Sequence, residues 1–210
     1  MDQFGAFLAS RRSTRDYLPD PVPNEIIQEI IRDGLTAPSW SNTRPFMVAV
    51  ATGEVRDRLS EEFLRRWDAV KNFRGSSIRG KIGSVIRRYG FPTSNWLVVK
   101  KYHKDLLPRS QRIGKDLYSH LGIDREDRDS RNKFWSRNYE FFGAPVELFV
   151  FTQKSLGKFA ASDAGLFMQN LILSAHSKGL GTCAQGAVAV WEDAVREEFE
   201  VSKNYSLLCG

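Results

Sequence analysis

Cysteine is scarce in this 210-residue sequence: only Cys183 and Cys209 occur, far apart and in no CxxC pair. That excludes a disulfide-stapled scaffold and a cysteine-ligated zinc module, and makes a reduced, cytoplasmic protein the expectation. Histidine is nearly as rare. His103, His120 and His176 stand in no HExxH motif and beside no cysteine at metal-ligand spacing, so no metal site is expected. His176, in ILSAHSKG, reads as a surface or core histidine of a helix. No apolar run is long enough to span a bilayer, and MDQFGAFLAS lacks the positive and apolar regions of a signal peptide. No membrane partner is expected. GxSxG and P-loop motifs are missing too. GLGTCAQG has glycines, but its spacing is not GxGxxG and it follows a helix instead of a strand. The net charge of +6 is not gathered into one block. Much of it lies between Arg56 and Arg137, mixed with acids in DREDRDSRNKFWSR, the pattern of a solvated helix face. No nucleic-acid reader motif accompanies it, so no nucleic-acid partner is expected.

What is present fits one domain over residues 1–210 with a sizeable core. Phe4, Phe7 and Leu8 fall at helical spacing ahead of RRSTR. Pro19, Pro21 and Pro23 then force an extended path, and Ile26, Ile27, Ile30, Ile31 and Leu35 mark the buried face of a helix that Pro38 ends. FMVAVAT (46–52) and VELFVFT (146–152) read as buried strands. Between them Val55, Leu59, Phe63 and Trp67, four apart, predict a helix. Residues of about 72–104 show no clear period and are expected to form an irregular insertion or lid. Ile113, Leu117 and Leu121 give another helix, and DREDRDSRNKFWSRNYEFFG a longer one. DAGLFMQNLILSAHSKG, apolar nearly all round, predicts a central buried helix stopped by Gly179. LGTCAQGAVAV should be a loop with a short extended piece, EDAVREEFE a helix, and YSLLCG the start of a strand.

The chain offers no obvious acid, base, nucleophile or metal centre. Cys183 has no histidine motif with it and reads as a small loop cysteine. Either the protein is no enzyme, or a cofactor carries the chemistry. RRSTR, residues 11–15, is the segment that speaks to this. Guanidinium groups grip phosphate with paired, charge-assisted hydrogen bonds, and Ser13 and Thr14 add hydroxyl donors. A mononucleotide phosphate suits such a cluster; a generic basic patch is the plain alternative.

Four segments in order, RRSTRDYLPDPVP, APSWSNTRPF, a GAPV strand and DAGLFMQNLILSAHSKGLGTCAQGA, resemble the FMN-dependent nitroreductase family. The middle section, with RIGKDLYSHLGI and RNYEFFGAPV, looks most like its nitrobenzoate-type branch. The resemblance implies an α+β fold with a mostly antiparallel central sheet wrapped by helices, in an interlocked homodimer with FMN at the interface. It implies that Arg11, Arg12, Ser13 and Arg15 hold the FMN phosphate and one edge of the flavin, with Arg15 at the anionic edge of the reduced ring. Pro38, Ser39, Trp40, Ser41 and Asn42 would come from the other subunit and pack on the flavin. Trp40 stands where many relatives have a small residue; it would either stack beside the ring and narrow the pocket or fill the interface. Cys183, Ala184, Gln185 and Gly186 would lie against the central ring, with a main-chain N–H near Gln185 meeting flavin N5. Asp163, Gln169 and Asn170 match family residues read as structural. No side chain is assigned a catalytic role. NADPH or NADH and small aromatic oxidants, nitroaromatics or quinones, would use one open face in ping-pong order.

The family pattern continues past YSLLCG into a GLAIGY-like strand and a basic tail that crosses to the partner. Reading the C-terminal strand and tail as truncated carries the expectation of weaker FMN binding, which an appended basic tail should restore. Three rivals remain open. The same fold could run reductive dehalogenation or enone reduction, the chain could be a flavin-free, catalytically dead relative, or the scattered charge could serve nucleic acid.

Overall fold

Two runs rich in β-branched and aromatic residues, with no glycine or proline, form the paired strands β1 (Phe46–Thr52) and β2 (Val146–Gln153). In the computed structural model, which describes residues 2–75, 90–94 and 102–210, they run antiparallel from Phe46↔Thr152 to Thr52↔Val146. YSLLC supplies β3 (Tyr205–Cys209) on the other side of β2, giving the order β1-β2-β3. β3 covers only the end of β2, from Gln153↔Tyr205 to Val150↔Cys209, with a bulge between Val150 and Phe151. The helices are α1 (Gln3–Ser10), α2 (Asn24–Gly34), α3 (Gly53–Gly75), α4 (Leu107–His120), α5 (Arg128–Ser136), α6 (Lys158–Ser177) and α7 (Glu192–Glu198). Helices wrapped on an antiparallel sheet are the α+β arrangement expected.

Alternation along β2 sorts the two sides of the sheet. Phe149 and Phe151 face α3, whose four-apart series Leu59, Phe63 and Trp67 meets Tyr139, Phe141 and Trp191. Phe63 sits at the centre of this aromatic cluster, with ring centroids 5.7 Å from Trp191 and 6.0 Å from Phe141. Val48 and Leu148 face the other way, toward α2 and α6, which pack through Ile30, Phe167, Leu171 and Ala175. Gly34 is what lets α2 and α6 approach: a Cβ there would lie 2.7 Å from Phe167 Cε2.

Four elements differ from expectation. α6 begins at Lys158 instead of Asp163 and is not buried all round; Phe159 and Leu166 are 44% and 45% exposed. The long helix expected from DREDRD shortens to the nine residues of α5. Asp127 accepts from the Ser130 N–H at 2.9 Å and caps the helix there, leaving the acids before it outside. Phe142 takes a left-handed φ of 53°, which breaks the chain away from helical geometry before β2. AVAVW, 187–191, is a 3-10 turn and not an extended piece. The insertion expected over about 72–104 falls mostly outside the described residues. Within it α3 runs on to Gly75, and residues 90–94 pack on the 190–193 corner. There the Trp191 Nε1–H donates to Gly90 O at 3.1 Å and Thr93 N–H to Val190 O at 2.9 Å.

Candidate cofactor site

The arginine cluster begins where α1 ends. Asp2 caps that helix by accepting from Gly5 N–H at 2.6 Å, yet the helix buries none of its residues. It is held by its last turn: the Phe7 ring lies 5.0 Å from the His176 ring, and Ser10 Oγ is 2.7 Å from His176 Nε2. Arg12 folds back and donates to the carbonyls of Ala9 and Arg11, a cation on the negative end of the helix. It therefore serves the helix end. Arg11 and Arg15 make no ion pair among the described residues; Arg15 is exposed and Arg11 half-buried.

The second loop is drawn against the first. Ser13 and Thr182 form a parallel bridge, with Thr14 N–H donating to Thr182 O at 3.0 Å. A Cβ on Gly181 would lie 2.6 Å from Thr14 Oγ1, so only glycine permits the approach. Cys183 and Ala184 thus sit beside the arginines. Burial pushes the Cys183 thiol up while Arg15 pulls it down, and the net shift is upward. A thiol held protonated is a poor nucleophile, in keeping with its reading as a loop residue. Gln185 is a brace. Its side chain is buried and donates to Asn138 O at 3.0 Å. Its own N–H donates to Gly210 O at 2.6 Å. Gly186 is exposed.

The PSWSN loop lies elsewhere in the chain. Ser41, Asn42 and Arg44 all adopt left-handed φ, at 51°, 53° and 47°. Such strain persists only where surrounding bonds hold it. Here Ser39 Oγ accepts from Arg44 N–H at 3.0 Å, and buried Asp163 of α6 accepts from Trp40 N–H at 3.0 Å. Asp163 is accordingly structural, as read. Asn170 likewise braces, donating to Thr36 Oγ1 at 3.2 Å. Trp40 stays 52% exposed, edge-on to Phe159 with centroids 4.2 Å apart. Asp163 is near the start of α6 and His176 near its end, thirteen residues on, or about 20 Å at helical rise. One chain therefore gathers Arg11, Arg12, Ser13, Arg15, Cys183, Ala184, Gln185 and Gly186, and leaves Pro38, Ser39, Trp40 and Asn42 at the far end of α6.

An apolar cavity of about 560 Å³ is bordered by the 181–185 loop and by Asp16 and Tyr17. Ile27 and Ile30 of α2, Leu171 of α6 and Leu148 of β2 line it. It also takes in Glu147, a fully buried carboxyl that sequence reading passed over. Burial pushes Glu147 up to about 8, and its Oε1 has no hydrogen-bond partner among the described residues. A lone acid in the run VELFVF was the available signal. Tyr17 borders the same cavity, its hydroxyl pushed up by burial first and then by the nearby Cys183 and Glu147. Lys158 and Phe159, beside Trp40, were also missed because the helix was started too late.

Antiparallel sheet, α2–α6 pair and the joined RRSTR and TCAQG loops define the class. The sequence profile of the Nitroreductase family matches residues 8–210, and the chain belongs to that family. It is 32% identical to a 4-nitrobenzoate reductase of Nocardioides sp. (strain LMS-CY) over 213 residues, covering 100% of this chain and 79% of the relative. It is also 32% identical to a 4-nitrobenzoate reductase of Pseudomonas putida, covering 100% of this chain and 83% of that one. Among solved structures, the FMN-dependent nitroreductase NfnB of Mycobacterium smegmatis, in complex with NADPH, superposes with a TM-score of 0.78. It is 28% identical, with 98% of this chain and 84% of that chain covered.

Proposed function

We propose that the protein is an FMN-dependent oxidoreductase that takes electrons from NADPH or NADH and passes them to nitroaromatic acids or quinones. The observation that carries this reading is the fused pair of loops. Arg11 and Arg15 present uncompensated cations beside hydroxyl-bearing Ser13 and Thr14, and the Ser13–Thr182 bridge fixes Cys183 and Ala184 next to them. A dianionic phosphate fits that donor set; Arg12 contributes through the helix end it stabilises. Bound there, FMN would supply the two-electron relay that the side chains cannot. Arg15 would favour negative charge on the bound ring, and exposed Ala184 and Gly186 would leave one face open. Because a single open face admits donor and acceptor in turn, the reaction order is ping-pong, and the protein needs no dedicated dinucleotide fold.

A second copy completes the site. The strained, exposed PSWSN loop cannot reach the arginines of its own chain, but in a homodimer one protomer's loop can face its partner's. The relatives named 4-nitrobenzoate reductase and the NADPH-bound neighbour support the choice of substrates. Scattered charge and the family match speak against nucleic acid as the partner. No helix among the described residues is long and apolar enough to cross a membrane, which suits a cytoplasmic location.

The test is flavin content and reducibility. Purified protein incubated with FMN and desalted should stay yellow, and anaerobic NADPH should bleach it. Arg11→Ala with Arg15→Ala should lower FMN affinity at least tenfold, about 1.4 kcal/mol or more. Unchanged occupancy in that double variant would overturn the assignment. Nitrobenzoate, quinone and haloaromatic acceptors assayed side by side separate nitro reduction from dehalogenation.

A further inference from the structure

At the start of α6 a half-exposed aromatic corner stands beside an unpaired cation, and structural needs account for neither. Trp40 is 52% exposed and Phe159 44%, with rings perpendicular at 82°. Burying such rings would be worth far more to folding than showing them to water. The main chain beneath the indole is fixed by the Trp40 N–H bond to Asp163 and by the left-handed run at Ser41, Asn42 and Arg44. Lys158 lies in the first turn of α6, where a cation opposes the helix dipole. Its Nζ is 5.6 Å from the Phe159 ring centroid, and it makes no ion pair among the described residues. Nearby Lys154, by contrast, is spent on Lys203 O at 2.7 Å. An exposed indole face, with an ammonium nearby that rests on the Phe159 ring and has no ion pair among the described residues, is complementary to a flat aromatic ring bearing a carboxylate.

We propose that Trp40 and Lys158 form the acceptor-recognition corner: the indole lies against the ring of a nitroaromatic acid, and the Lys158 ammonium pairs with its carboxylate. This rests on the reading above, in which the 38–42 loop of one protomer faces the arginine loop of its partner. It goes further by naming what separates aromatic acids from neutral nitroaromatics. Trp40 acts on both kinds of acceptor through its face, Lys158 only on the acid through its charge.

The experiment compares 4-nitrobenzoate with its neutral analogue 4-nitrobenzamide on FMN-loaded protein. Steady-state kinetics at saturating NADPH are paired with calorimetric binding of 4-nitrobenzoate to the oxidised protein. Lys158→Gln should raise KM and Kd for the acid roughly fivefold to tenfold with kcat kept, and leave the KM of the amide in place. Lys158→Arg should restore the preference. Trp40→Leu should raise KM for both acceptors. The proposal falls if Lys158→Gln moves acid and amide equally or moves neither. It falls also if Trp40→Leu yields monomers that shed flavin, since the indole is then an interface residue. A parent that binds no FMN overturns the underlying reading together with this one. Normal bleaching with unaltered acceptor preference overturns this one alone.

Discussion

Glu147 is a carboxyl in the wrong place for folding. It sits on the strand face that also carries Phe149 and Phe151, and it is only 6% exposed. The cation that acts on it, Arg56, is already committed, donating to Ala144 O at 3.0 Å and to Glu140 O at 2.6 Å. Burial therefore dominates and lifts Glu147 to about 8, with Arg56 opposing. The consequence for stability has a definite sign. The folded state holds the proton across the window from the ordinary glutamate value, near 4.5, up to about 8, whereas the unfolded chain releases it. Folding stability is thus greatest below that window, falls as pH rises through it, and levels off above. The slope is at most about 1.4 kcal/mol per pH unit. Urea unfolding at pH 5.5, 7 and 8.5 should show this decline, and Glu147→Gln should flatten it. A variant that keeps the parent's full slope would show that other groups set the pH dependence.

At the scale of elements, one buried arginine clasps α3 to α7. Arg66 is 7% exposed and reaches Glu62 Oε1 and Asp193 Oδ1, each at 2.6 Å. Thr93 Oγ1 donates to the same Asp193 oxygen at 2.6 Å, so the clasp also anchors the 90–94 segment. Removing one partner of a buried pair strands the others, which costs more than the pair contributes. Arg66→Ala should lower unfolding free energy by about 2–3 kcal/mol, and Asp193→Asn by about 1 kcal/mol, since Asp193 keeps water within reach. Midpoints of denaturant unfolding measure both; equal effects would mean that Arg66 contributes little beyond its pairing with Asp193, and no effect of Asp193→Asn would mean that it acts through packing. This clasp was not legible in the sequence. Arg66 and Asp193 are 127 residues apart, and nothing in RRWD or WEDAV marks a pair. The helices themselves were legible wherever apolar residues kept one period, as at Leu59, Phe63 and Trp67. Boundaries failed where capping decides: Asp127 shortened α5, and Gly157 with Lys158 started α6 a full turn early.

The whole molecule shows why half of the candidate site could be read and half could not. RRSTR and TCAQG carry their chemistry in residue type, and the bridge at Ser13–Thr182 joins them inside one chain. PSWSN is equally recognisable, but α6 holds it about 20 Å away. In the proposed homodimer its part in the site would depend on a second copy, which no local pattern specifies. The surface supplies the argument for that copy. α1 buries nothing, and Phe4, Trp40, Met47, Phe159 and Leu166 are exposed by 39–65%. Exposed side chains of this size on α1, β1 and α6 are the ones a second copy would cover. A stable dimer needs roughly 800 Å² from each partner. Sedimentation equilibrium should return twice the 23.9 kDa chain mass. Leu166→Glu, at a position already open to solvent, should leave the helical circular-dichroism signal intact. It should halve the mass and, by separating the PSWSN loop from the partner's arginines, release bound FMN. A monomeric Leu166→Glu protein that keeps its flavin at full affinity would show that the arginine and cysteine loops suffice alone, and that the second copy is no part of the site.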